Sequence, residues 1–203
     1  MSAPAKPAAG TAALQRREVV ARILRERGDA LVVAGLGSSA YDLYAAGDTA
    51  HNFYLWGAMG GAAMLGLGIA LAQPKRRVIV FTGDGEMLMG LGSFATIARA
   101  RPANLAIVVL DNERYGETGM QETASARGAD LAGIAAASGI ADTGTVRTAA
   151  ELEALAQRVG TAPGPLVTVI KIGTEPTAVS LPPRDGPLLR SRFRAALPGV
   201  QES

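Results

Sequence analysis

The chain of 203 residues contains no cysteine and a single histidine, His51. Without thiols there are no disulfides, no thiolate metal sites and no cysteine nucleophile. One histidine is too few for a His-rich zinc centre. Aromatic residues are scarce, while Ala and Gly are abundant. Charge of one sign is not in excess either: 20 Lys and Arg face 18 Asp and Glu. A formal +2 scattered along the chain gives nucleic acid no electrostatic footprint. The arginines gather towards the ends, Arg16, Arg17, Arg22, Arg25 and Arg27 at one and Arg184, Arg190, Arg192 and Arg194 at the other. They read as solubilising or subunit-contacting termini. There is no long hydrophobic run, because "GAAMLGLGIALA" is glycine-rich and too short to span a bilayer; no membrane association is expected. The opening "MSAPAKPAAGTAALQRREVV" lacks the apolar core of a signal peptide, and a cytoplasmic location is expected.

What is present is an alternation of strands and helices. "ALVVAG", "NFYLW", "RRVIVFTG", "NLAIVVLDN", "TGTVR" and "PLVTVIKI" read as strands, several of them continuous β-branched and aliphatic runs suited to a sheet covered on both faces. Helical segments lie between them. "SSAYDLYAAG" opens on serines suited to capping, "MGGAAMLGLGIALAQ" stops at Pro74, and "EMLMGLGSFATIARA" ends before Pro102. The fold expected is α/β, a single doubly wound, mostly parallel sheet of about six strands with helices on both faces. Residues 1–28 read as a tail and short helix, 29–180 as the binding domain, and 181–203 as a Pro/Arg-rich tail.

In such a sheet ligands sit beyond the carboxyl ends of the strands. There the sequence places Gly83-Asp84-Gly85 after one strand and Asp111-Asn112 at the end of the next. Carboxylates and amides at strand ends do not fill a core. Asp84, the Asn112 side-chain carbonyl and a main-chain carbonyl just beyond it supply the hard oxygen ligands that Mg²⁺ takes when it shares its shell with phosphate. A helix opening after Gly85 directs N–H groups at the same point, and Gly83 and Gly85 let the backbone pass close to the bound group. The residues therefore describe a metal–diphosphate site. A dinucleotide fold is disfavoured, since "GLGSSA" has Ala40 at the third glycine of the phosphate fingerprint.

Together these residues resemble the diphosphate-binding domain of thiamine diphosphate enzymes, whose signature is GDG followed, about 25 to 30 residues on, by an Asn pair. Here 25 residues lie between Gly85 and Asp111, and Asp111 replaces the first Asn. The resemblance implies Mg²⁺ ligation by Asp84, Asn112 and the Arg114 carbonyl. It implies a cofactor turn in "YLWGAMGG", where the Gly57 carbonyl accepts a hydrogen bond from the 4′-amino group and Met59 is the wedge that bends the cofactor. "GSSAYDLYAAGDTAHNFYLWGAMG", "GDGEMLMGLGS" and "RYGETGMQ" narrow the likeness to the sulfopyruvate and phosphonopyruvate decarboxylases, over roughly residues 31–172. By that likeness Ser38 and Ser39 lie near the diphosphate, and Tyr115, Gly116, Glu117 and Thr118 wrap diphosphate and thiazolium, Thr118 as a catalytic candidate. Glu86 stands where the family usually has a small residue and is expected to point away from the diphosphate. His51, just upstream of the cofactor turn, is a second catalytic candidate, with a surface loop as the other reading.

The family's activating glutamate belongs to a pyrimidine-binding domain that a chain of this length has no room for. The resemblance thus implies a partner α-subunit carrying that domain, in an α₂β₂ or larger assembly. The glycine-rich helix at residues 60–71 is expected to help form the interface. The activity implied is decarboxylation of a 2-oxo acid to an aldehyde. Carboligation of the acetolactate synthase type and a non-catalytic cofactor-binding or scaffold subunit are the alternatives.

Overall fold

The structure, a computed structural model, describes residues 13–197. Its helices and strands alternate as α1 (Arg16–Leu24), β1 (Leu31–Ala34), α2 (Ser38–Ala45), β2 (Asn52–Tyr54), α3 (Ala62–Ala72), β3 (Val78–Gly83), α4 (Asp84–Met89), α5 (Ser93–Ala100) and β4 (Leu105–Asp111). After a short antiparallel ribbon of β5 (Arg114–Tyr115) and β6 (Gln121–Glu122) come α6 (Leu131–Ala137), β7 (Asp142–Val146), α7 (Ala149–Val159), β8 (Leu166–Lys171) and α8 (Gly186–Ala195). Six strands form one sheet in the order β2-β1-β3-β4-β8-β7, and every neighbouring pair is parallel.

The apolar runs explain the layering. Every residue of β1 and β4 is buried, as a strand with helices over both faces requires. One apolar layer joins α1, α2 and α7 to the sheet through Val19, Val20, Ile23, Leu43, Leu155 and Val159. The other joins α3, α5 and α6 through Leu67, Phe94, Ile97, Leu131 and Ala135. Side chains cap several of these helices: Thr148 and Glu151 form a reciprocal capping box on α7, and Asp130 caps α6.

The structure corrects three expectations. The continuous helix read at 86–100 is two helices, broken at Gly90–Gly92. The break follows from a close approach: a Cβ on Gly90 would stand 2.2 Å from the Gly60 carbonyl oxygen. Ser38 and Ser39 do not cap α2. They are its first two residues, and the N-cap is Gly37 at φ +72°, a conformation that favours glycine. The Pro/Arg-rich segment after residue 181 contains α8, started by an Asp185 cap. Leu189 and Phe193 of α8 are buried, and the Phe193 ring meets Phe53 of β2 edge to face at 5.5 Å, so α8 covers the edge of β2. Gly66 faces inward, with Val80 where its Cβ would be, and so belongs to the α3–sheet packing of this chain. The outward face of α3 carries Met64, Gly68 and Leu71 instead.

Candidate functional site

The chain runs from β1 outward to β2, then crosses back to β3 on the other side of β1. This reversal opens a crevice at the carboxyl ends of β1 and β3. A cleft of about 140 Å³ lies there, lined from four directions: Ser38 and Ser39 of α2, Met59 of the turn before α3, Gly83 to Glu86 at the β3–α4 junction, and Asn112 with Arg114 to Thr118 beyond β4. Thirteen of the residues singled out in the sequence thus converge, although they come from separate segments. Gly57 and His51 do not line it.

Asp84 opens α4 and is 2 % exposed. Thr123 Oγ1 donates to its Oδ2 at 2.5 Å, and Ser125 Oγ lies 3.1 Å from the same oxygen. Among the described residues Oδ1 has no side-chain partner. Burial pushes the Asp84 carboxyl up to about 6, with Asp111 adding to the effect and the two hydroxyls opposing it. Asn112 accepts from the Arg114 N–H at 3.0 Å in a local Asx turn, which fixes the direction of its side-chain carbonyl.

Asp111, the departure from an Asn pair, is accounted for by residues that the motif does not include. Its register partner across β4–β8 is Lys171, whose ammonium sits 2.6 Å from Oδ2 and 2.8 Å from Glu113. Ser125 donates to Oδ1 at 2.8 Å, and the Glu113 N–H adds a third bond. Both carboxylate oxygens are committed and the charge is paired, so Asp111 is not free to join Asp84 as a ligand. Ser125 has one proton to share between Asp84 and Asp111, and its Oγ lies nearer to Asp111. Thr123, Ser125 and Lys171 were invisible in the sequence, because only the β4–β8 register and the return of the loop bring them to Asp84 and Asp111.

The glycines of the site meet side chains of the same site. Tyr115 packs its ring where a Cβ of Gly85 would be, at 2.5 Å, and the Glu117 carboxylate fills the space beside Gly37. Gly83, by contrast, faces open space. Glu86 is 4 % exposed and its carboxylate takes the space left by Gly35, receiving the Thr82 hydroxyl at 2.9 Å. Burial pushes this carboxyl up. The Glu86 main chain lies at the start of α4, and the residue lines the cleft.

The turn 57–60 holds positive φ at Gly57 (+76°), Ala58 (+47°) and Gly60 (+91°). This tight left-handed path turns the half-exposed Met59 into the cleft. A positive φ at a non-glycine residue is strained. His51 lies at the amino end of the short strand β2, away from the cleft. It precedes β2, pairs with β1 at that strand's start through Val32, and has its ring 3.4 Å from Arg76. It is not brought together with the other candidate site residues. Arg114 and Arg127, the two cations flanking the loop, are both bound to Glu122, at 3.5 and 2.6 Å. Arg16, read as part of a solubilising terminus, instead lines the cleft.

With this geometry in hand, comparison with known proteins is direct. The family model described as "Thiamine pyrophosphate enzyme, C-terminal TPP binding domain" matches residues 35–170. The chain belongs to this family of thiamine diphosphate-binding domains. It is 46 % identical over 110 residues to sulfopyruvate decarboxylase subunit beta of Methanothermobacter thermautotrophicus, covering 54 % of this chain and 59 % of that protein. With the corresponding subunit of Methanocaldococcus jannaschii it shares 38 % over 140 residues, 68 % of this chain and 73 % of the subunit. It is 45 % identical over 136 residues to phosphonopyruvate decarboxylase of Streptomyces viridochromogenes, 66 % of this chain but 34 % of that one. Among solved structures, a Mycobacterium smegmatis protein described as a thiamin diphosphate-dependent enzyme superposes with TM-score 0.67 at 28 % identity, over 82 % of this chain and 33 % of its own. The chain therefore spans about a third of the single-chain enzymes and more than half of the separate beta subunits.

Proposed function

We propose that this chain is the β-subunit of a split thiamine diphosphate-dependent 2-oxo acid decarboxylase, acting on a substrate of the sulfopyruvate or phosphonopyruvate kind in the cytoplasm. The observation that carries the reading is the convergence of Asp84, Asn112, Met59 and the loop 115–118 on one cleft at the β1–β3 crossover. Its partner is an α-subunit with the pyrimidine-binding domain and its activating glutamate, in an α₂β₂ or larger assembly. The similarity to separate beta subunits supports a partner, as does the cleft, whose 140 Å³ is well below the roughly 300–1,000 Å³ of an enclosed small-molecule site.

The residues present fit a magnesium diphosphate. Among the described residues Oδ1 of Asp84 has no side-chain partner, Asn112 turns its carbonyl through the Asx turn, and the space at Gly83 is open. Asp84, Asn112 and the Arg114 carbonyl would hold Mg²⁺ as an all-oxygen set. Gly85 and Glu86 would offer main-chain N–H groups to the phosphates, with Ser38 and Ser39 on the facing wall. The Gly57 carbonyl would orient the aminopyrimidine, Met59 would hold the two rings bent together, and Tyr115 to Thr118 would keep water from the reacting carbon. Thiamine diphosphate, when bound, supplies the electron sink for loss of CO₂.

The test is CO₂ release from a panel of 2-oxo acids with Mg²⁺ and thiamine diphosphate, using this chain alone and co-purified with its partner. Turnover by the pair alone is the expected result, and the panel names the substrate. Turnover by the single chain overturns the split-subunit reading; condensation products without free aldehyde assign a carboligase.

A further inference from the structure

We infer that Arg16 is a phosphate-binding residue of the cleft, supplying fixed positive charge to the diphosphate group; the inference rests on the cofactor reading above. Arg16 and Arg17 are the first two residues of α1. Cations at a helix N-terminus oppose the helix dipole, so the pair needs another reason to be there. Part of it is Asp42 of α2, which is fully buried. Arg16 Nε lies 3.3 Å from one of its oxygens and Arg17 Nε 3.1 Å from the other. One carboxylate thus faces two guanidinium groups, and one positive charge remains over.

The two arginines dispose of that charge differently. Arg17 donates to the Ala178 carbonyl at 2.6 Å and does not line the cleft. Arg16 does line it, with a side chain only 13 % exposed and an Nε that closes no directed hydrogen bond. Asp42 holds the guanidinium from one side, one turn along α2 from Ser38 and Ser39, which share the cleft. Arg114, the other arginine of the lining, is bridged to Glu122. Of the two arginines in the lining, Arg16 is thus the one held by a fully buried carboxylate, which it shares, among the described residues, with a second arginine. A planar guanidinium suits two-point contact with phosphate.

Arg17 gives the control, because it shares Asp42 without reaching the cleft. The experiment measures equilibrium binding of thiamine diphosphate, thiamine monophosphate and thiamine, with Mg²⁺, to the co-purified complex carrying Arg16→Gln, Arg16→Lys or Arg17→Gln, with thermal melts to check folding. Arg16→Gln should weaken thiamine diphosphate about tenfold, weaken the monophosphate less and leave thiamine unchanged. Arg16→Lys should recover part of the loss, and Arg17→Gln should keep the wild-type ratios. Equal losses for all three ligands, or the same losses in Arg17→Gln, would reduce Arg16 to a partner of Asp42 and overturn the inference alone. A wild-type complex that binds thiamine diphosphate no better than thiamine would overturn the cofactor reading and this inference together.

Discussion

Both ends of the sheet carry polar side chains, and they use them differently. At the amino end several donors are spent on the chain's own carbonyls. Arg77 donates to Val159 and Ala162 at 2.6 and 2.8 Å, Arg27 to Ala30 at 3.0 Å, and Asn104 reaches three carbonyls, of Ala70, Gln73 and Arg76. At the carboxyl end the commitments stop short among the described residues. Asp84 has side-chain partners on one oxygen, Gly83 faces open space, and Arg16 shares its carboxylate with Arg17. A parallel sheet imposes this contrast, since its strands all deliver their last residues to one end. Neither polar density nor a single unsatisfied polar atom marks a site, since Arg77 Nη2 at the amino end is also buried without a partner among the described residues; what sets the carboxyl end apart is that its polar groups meet in one open crevice.

The sharpest test of the contrast is Asp84→Asn. A carboxyl raised to about 6 in the folded chain binds its proton more tightly there than in the unfolded chain. Ligand-free stability therefore falls as pH rises from about 4 to about 6 and stays lowered above that. The substitution should remove this slope and stabilise the ligand-free chain at pH 7.5 by about 1–3 kcal/mol. It should also abolish the stabilisation conferred by Mg²⁺ and thiamine diphosphate, worth about 2.7 kcal/mol at a hundred times Kd. Urea melts at pH 4 and 7.5, with and without the ligands, read both effects. A variant that still gained stability from magnesium and cofactor would remove Asp84 from the ligand set.

At the amino end the expected pattern is the reverse. Asn104→Ala strands carbonyls at the end of α3, in the turn after it and just before β3, and should cost about 2 kcal/mol of unfolding free energy. Cofactor affinity in the complex should stay within twofold of wild type. A selective loss of affinity with stability unchanged would mean that the two ends are not separate.

The carboxyl end was legible where short-range chemistry sets it. Apolar strands followed by Gly-Asp-Gly and Asp-Asn require a polar strand end, and a parallel sheet then brings the two ends together. What the sequence concealed depends on distance along the chain. Lys171 reaches Asp111 only through the β4–β8 register, and Thr123 and Ser125 reach Asp84 only because the β5–β6 ribbon folds the loop back. Two local readings failed for one reason, tertiary contacts overriding propensity. The break between α4 and α5 comes from Gly90 meeting Gly60, and the helix in the arginine-rich tail exists because Leu189 and Phe193 cover β2. Glycine in that first case reads as helix flexibility until the neighbour is known.

His51 is the residue on which the two ends were confused, because proximity in sequence to Gly57 and Met59 suggested proximity in space. Strand β2 separates them: its start carries His51 beside Arg76, and its finish leads to the turn. Burial, with Arg76 and Arg27 nearby, lowers the His51 pKa below the ordinary histidine value. The folded chain then binds that proton less tightly than the unfolded chain, so stability is full above about pH 6.5 and declines as the pH falls through that value. His51→Gln should therefore leave kcat, KM and their pH profiles unaltered in the complex. It should slightly reduce the difference in unfolding midpoint between pH 7.5 and pH 5.5. A lost limb in the pH–rate profile, with cofactor binding intact, would return His51 to the chemistry and would require the partner subunit to bridge the full length of β2.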